Sequence, residues 1–90
     1  MSSPRFTEDA WYEYIAWQGE DKKTLKKINN LIKDIMRNGP DEGEGKPEAL
    51  KGNLSGLFSR RINEKDRLVY RFLSDDVFEI ISCQGHYDDK

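Results

Sequence analysis

Ninety residues with 15 Lys and Arg against 17 Asp and Glu carry a net charge of −2, which allows one domain (1–90) around one modest core. No apolar run approaches the ~18 residues of a membrane span, no secretory leader is recognisable at the start, and one His with one Cys cannot build a structural zinc site. The single cysteine, Cys83, excludes an internal disulfide and fits a reducing cytoplasm.

Residues 4–6 read as a very short edge strand, the place where Pro4 is tolerated. Thr7 is a good N-cap, with Glu8 and Asp9 in the first turn, where the helix dipole favours acids. A helix follows over 8–18, ended by Gly19. Its shared face carries Trp11, Tyr14, Ile15 and Gln18, flanked by Ala10 and Trp17. These aromatics are read as core or a partner-binding face, although aromatics can also stack on bases.

Asp21 caps a second helix in which Leu25, Ile28, Ile32 and Ile35 keep the i, i+3, i+4 rhythm. Lysines cover its other faces, and Asn38-Gly39-Pro40 stops it. A loop over 39–56 holds five Gly and two Pro; loops of that length in compact domains are often functional. The period then becomes two: Leu57–Ile62, Arg67–Leu73 and Val77–Ser82 are strand-like, joined by hairpin-length turns. In the middle strand Leu68, Tyr70 and Phe72 face one way, and Arg67, Val69 and Arg71 the other. This order predicts an α+β fold with two N-terminal helices packed on a small antiparallel β-sheet.

The net charge hides a pattern. Residues 21–38 carry six basic and two acidic side chains, and residues 46–71 seven basic and three acidic, net +4 in each block. Segments 1–20, 39–45 and 72–90 are net −3, −3 and −4. Two basic blocks between acidic ones can form a basic face for RNA or another anion once folded; the plainer reading is charges that solvate a surface.

No P-loop, GxGxxG, GxSxG or HExxH appears. What remains is Glu48 in the loop, the hairpin arginines, and Gly85-His86-Tyr87. Cleavage of RNA through its own 2′-hydroxyl needs a base, an acid and cations on the phosphoryl oxygens, and it requires no metal or other cofactor. Glu, His and Arg suffice in kind, since Arg grips two phosphate oxygens and His titrates near 6.5. Each also has a plain reading. Glu48 can be a solvated loop acid, His86 an incidental residue of a fraying end, and Tyr87 a ring packed on a core edge. Arg61 and Arg67 can pair with Glu64 and Asp66.

The stretches Lys26-Lys27-Ile28-Asn29, Gly45-Lys46-Pro47-Glu48, Leu50-Lys51, Asn53-Leu54-Ser55-Gly56, Ser59-Arg60-Arg61-Ile62, Arg67-Leu68-Val69-Tyr70 and His86-Tyr87 closely resemble the YoeB family of toxins in the wider RelE superfamily. The resemblance runs from about residue 5 to residue 87. It implies a microbial-ribonuclease-like α+β domain and a ribosome-dependent mRNA endonuclease of a type II toxin–antitoxin system. Such an enzyme cuts the A-site codon by metal-independent attack of the 2′-hydroxyl and so stops translation. On the same basis the catalytic residues fall on Glu48, Arg67, His86 and Tyr87, with Lys51 and Arg61 beside the phosphate. Glu48 is the candidate base and His86 the candidate acid. The implied partners are the ribosome with its message, a YefM-like antitoxin with an acidic segment, and a second copy in a homodimer. Asp88-Asp89-Lys90 follow where the family commonly ends, and they are read as a flexible tail. The competing readings are a non-catalytic ribosome- or RNA-binding inhibitor of translation and an interaction domain whose toxicity is lost.

Overall fold

A computed structural model describes residues 1–85. Strand β1 (Ser3–Phe6) leads into helix α1 (Glu8–Glu20), helix α2 (Lys22–Asn38), strand β2 (Glu48–Ala49), a single 3-10 turn (Gly52–Leu54), and strands β3 (Phe58–Arg61), β4 (Arg67–Phe72) and β5 (Val77–Ser82). The sheet order is β1-β5-β4-β3-β2. The α+β class holds, but the sheet is mixed rather than purely antiparallel. β1 runs parallel to β5, with Ser3 beside Val77 and Phe6 beside Ile80. The helical hairpin carries the chain over the sheet before β2, so β1 stays at one edge and takes its partner from the far end of the sequence.

Local chemistry fixes the helices. Thr7 caps α1, its Oγ1 accepting from the Ala10 amide at 3.1 Å. Gly19 does not end this helix; Asp21 does. Asp21 is extended, donates its N–H to Trp17 O, and its carboxylate accepts from Lys23 N and Thr24 N at the start of α2. One residue therefore closes one helix and opens the next. Bonds from the Thr24 hydroxyl and amide hold the Asp21 carboxyl below its ordinary range.

The core lies between the helices and one sheet face. α2 contributes Ile28, Leu31, Ile32 and Ile35, and the strands Leu68, Tyr70, Phe78 and Ile80. α1 departs from its expected face: Ala10 and Trp17 are buried, whereas Trp11 and Ile15 are 46% and 43% exposed. Val69 is an exception on the other sheet face, 5% exposed between the half-buried Arg67 and the exposed Arg71.

A buried ion network forms where the loop meets the core. Arg60 is fully buried. Its Nη1 donates to Asp34 Oδ2 and to Glu44 O, its Nη2 to Gly39 O and Glu42 O, and its Nε to the Tyr70 hydroxyl. Tyr70 in turn donates to Pro40 O at 2.6 Å. All five guanidinium donors are thus engaged. Burial pushes the Asp34 carboxyl up, but Arg60, the Glu44 amide and Asn38 together bring it below its ordinary value. Burial pushes the Tyr70 hydroxyl up. The acidic loop is shaped by its carbonyls meeting a buried cation. Gly43 is required at this approach, because a Cβ there would lie 1.8 Å from Asp34 Oδ2.

Candidate active site

The pinned loop leads directly into the candidate residues. Past Glu44 the chain runs through Gly45, whose carbonyl accepts from Arg61 N at 2.7 Å. Lys46 follows with a left-handed φ of 53°, a conformation that costs about 1–3 kcal/mol and clusters at functional sites. Pro47 then delivers Glu48 into β2, opposite Ser59. The expected loop over 39–56 therefore holds a two-residue strand and a 3-10 turn.

Register puts the candidates on one face. Directly opposed residues of an antiparallel pair share a face, as do residues two apart. Glu48 opposes Ser59, Ser59 opposes Val69, and Arg61 opposes Arg67. Glu48, Arg61 and Arg67 therefore lie on the face away from the helices. Glu48 is two positions, roughly 7 Å, along the ladder from the arginine pair. The ladder shifts register at Val69/Tyr70; such irregularities are common beside active sites.

The arginines line a cavity of about 540 Å³, with Lys27, Gly45, Lys46, Ile62, Asn63 and Glu64. Four cations, from α2, the loop before β2, β3 and β4, converge on it, and they come from both basic blocks of the sequence. The anticipated pairing of Arg61 and Arg67 with Glu64 and Asp66 does not form. Arg67 Nη1 donates to the backbone carbonyls of Asn63, Glu64 and Asp66, and ion pairs among the described residues are Arg60–Asp34 and Arg71–Glu79. Lys51 is exposed and immediately precedes the 3-10 turn; neither it nor Glu48 belongs to the cavity's described lining.

Lys27 and Lys46 are cavity residues that the sequence reading did not nominate. Lys27 belongs to a helical lysine run that reads as a solvated face; the signal that singles it out is its place on α2 over the hairpin turn. The positive φ of Lys46 has no sequence signature.

The approach of the C-terminal segment is fixed by three elements. From α1, Trp17 Nε1 donates to Cys83 O at 2.9 Å, and Glu13 Oε1 accepts from Cys83 N at 2.7 Å. Buried Asp66 accepts from Gly85 N at 2.8 Å, and Arg67 N donates to Gly85 O at 2.9 Å. Gly85 is thereby tied to the residue that bears the candidate cation. His86 and Tyr87, and the tail 88–90, lie outside the described residues. Burial first, then the nearby Glu13 and Asp66 carboxylates, push the Cys83 thiol to about 12, so it packs rather than reacts. Among the described residues no group of three His, Cys, Asp or Glu is placed to hold a metal ion.

The chain is similar to known proteins over most of its length. Residues 6–87 match the model of a YoeB-like toxin of bacterial type II toxin-antitoxin systems. Toxin YoeB of Escherichia coli K12 is 54% identical over 82 residues, 91% of this chain and 95% of that protein. The fold superposes with a TM-score of 0.87 on a chain of the heterotetrameric YoeB-YefM toxin-antitoxin complex from Staphylococcus aureus, at 49% identity, covering 97% of this chain and 99% of that one. The YoeB dimer of the same organism gives a TM-score of 0.87 at 50% identity, covering 96% and 98%.

Proposed function

This chain belongs to the YoeB-like toxin family of bacterial type II toxin–antitoxin systems, and from that premise we propose that it is a ribosome-dependent mRNA endonuclease acting on the A-site codon. The observation that carries the reading is the Arg61–Arg67 cross-strand pair at a cationic cavity, with Glu48 on the same sheet face. Glu48 takes the proton of the 2′-hydroxyl. The freed oxygen bonds to the adjacent phosphorus as the bond from phosphorus to the 5′-oxygen breaks. Arg67, with Arg61 and Lys51, stabilises the charge on the equatorial oxygens. His86 gives a proton to the departing 5′-oxygen, and Tyr87 supports it. The products are a 2′,3′-cyclic phosphate and a 5′-hydroxyl. The reaction takes place in the cytoplasm, where translating ribosomes are.

The same reading assigns an acidic antitoxin segment to the cationic cavity, and self-association to the free toxin. A YefM complex and a dimer among the Staphylococcus aureus relatives support both.

Toe-printing on translating ribosomes tests the proposal. A new 3′ end within the A-site codon is expected with the wild type, reduced at least a hundredfold by Glu48→Gln. Stalled ribosomes on intact message would instead mean inhibition by occupancy. Arg67→Ala is expected to slow cleavage more than it weakens ribosome binding.

A further inference from the structure

The arginine cavity does not end at Arg61 and Arg67. A second cavity of about 270 Å³ is lined by Lys23, Thr24, Lys27, Ile62 and Asn63. It shares Lys27, Ile62 and Asn63 with the first, so the two form one groove that turns from the hairpin onto the first turns of α2. None of the catalytic roles above uses its α2 end.

The groove has two chemistries along its length. Its apolar lining is the edge of Ile62, a core residue only 7% exposed, together with Thr24 and the lysine stems, which can lie along apolar surface. Its α2 wall carries ammonium groups. Lys23 and Lys27 are four residues apart, one turn, which puts their Cβ atoms about 5–6 Å from each other. Side chains at that spacing can bring both ammonium groups to one phosphodiester. An apolar lining beside a row of cations fits a base face joined to a phosphodiester. Among the described residues no acidic side chain lines the α2 half, and the one carboxylate in the lining of the groove is Glu64 at the hairpin end.

We infer that the α2 end of the groove, lined by Lys23, Thr24, Lys27 and the edge of Ile62, binds the message nucleotide next to the one cut, its phosphate on the lysines and its base against the apolar lining. The inference rests on the nuclease reading, because the neighbouring nucleotide is defined by it. The favoured occupant is RNA rather than an acidic peptide, because a peptide carboxylate makes no use of the apolar lining that Ile62, Thr24 and the lysine stems supply beside the ammonium groups.

The test uses the free protein and oligonucleotides with every 2′-hydroxyl methylated, so that none is cut. Dissociation constants are measured by titration for two- and three-nucleotide probes, for wild type, Lys27→Ala, Lys23→Ala/Lys27→Ala and Lys27→Arg. The third nucleotide is expected to tighten wild-type binding about tenfold. The double variant should lose that increment while keeping the wild-type melting temperature, and Lys27→Arg should retain most of it. The salt dependence should fall by about 0.7 in log–log slope for each phosphate contact removed. A third nucleotide that adds nothing, or adds equally in all variants, overturns the inference. If the variants instead weaken binding to ribosomes while the increment persists, the lysines hold ribosomal RNA and the inference fails. It also fails if an oligoglutamate, and not the oligonucleotide, depends on Lys23 and Lys27. None of these readouts requires cleavage, so an intact message in the toe-print would count against the nuclease reading alone.

Discussion

α1 and α2 lie side by side on the same sheet, yet they are held to it by different means. α2 buries a continuous stripe, Ile28, Leu31, Ile32 and Ile35, and adds the half-buried Asp34 paired with the fully buried Arg60. α1 buries Ala10 and Trp17, packs Trp11 and Tyr14 against Phe6 of β1, and is held by polar ties: Trp17 and Glu13 to the Cys83 backbone, and Tyr14 to Asn29 at 2.6 Å. The difference teaches that an apolar stripe and a set of directed hydrogen bonds do different work. The stripe supplies most of the stability. The ties supply position, and those of Trp17 and Glu13 act on Cys83, two residues before the Gly85 that is bonded to Arg67.

The sharpest way to break the comparison is at Arg60. Arg60→Met should cost about 3–5 kcal/mol, because it strands a largely buried carboxylate and three loop carbonyls; equilibrium urea unfolding measures it, and a loss below 1 kcal/mol would deny the network its role. Next, Ile28→Ala should cost about 2–4 kcal/mol by cavity formation in the α2 stripe. Trp17→Phe keeps most of the apolar area but leaves Cys83 O without its donor. It should cost about 1–2 kcal/mol and shift the amide resonances of 83–85 more than those of α2. Acid should act selectively on the α2 side. The Asp34 carboxyl is held below its ordinary value, so its contribution is complete above the unfolded value near 3.8 and is lost as pH falls through the folded one. The urea midpoint of wild type should therefore drop below pH 4 more steeply than that of Asp34→Asn. The smallest effect is expected at Tyr12, 64% exposed on α1, where Tyr12→Ser should change stability by less than about 0.5 kcal/mol.

Legibility followed the same division. The α2 stripe and the alternation of Arg67–Phe72 are periodic signals, and both elements lie where those signals put them. α1 was harder, because Trp11, Tyr14 and Ile15 make a plausible apolar face of their own, and polar ties made by Glu13 leave no periodic trace. β2 has two residues, too few to show a period of two. The parallel placement of β1 depends on a strand more than seventy residues away. Within the site, resemblance pointed to Glu48, Lys51, Arg61 and Arg67; register shows Glu48 and the two arginines on one face, and leaves Lys51 outside the cavity. Lys27 and Lys46 required the fold, since a lysine on a helix or in a turn reads the same whether it faces bulk water or a groove. Arg60 looked like one cation among seven in its block, yet it is the internal counterion of the acidic loop.

The parallel pairing of β1 with β5 bears on the order in which the molecule can assemble during synthesis. β1 is made more than seventy residues before its partner β5, and before Cys83 and Gly85, which α1 and Asp66 position. Contacts so distant in sequence close late, so the helices and the β3–β4 hairpin can form on a nascent chain while the sheet edge and the C-terminal approach to the site cannot. A chain proposed to attack ribosomes thus completes its working surface only after β5 and Gly85 have cleared its own ribosome.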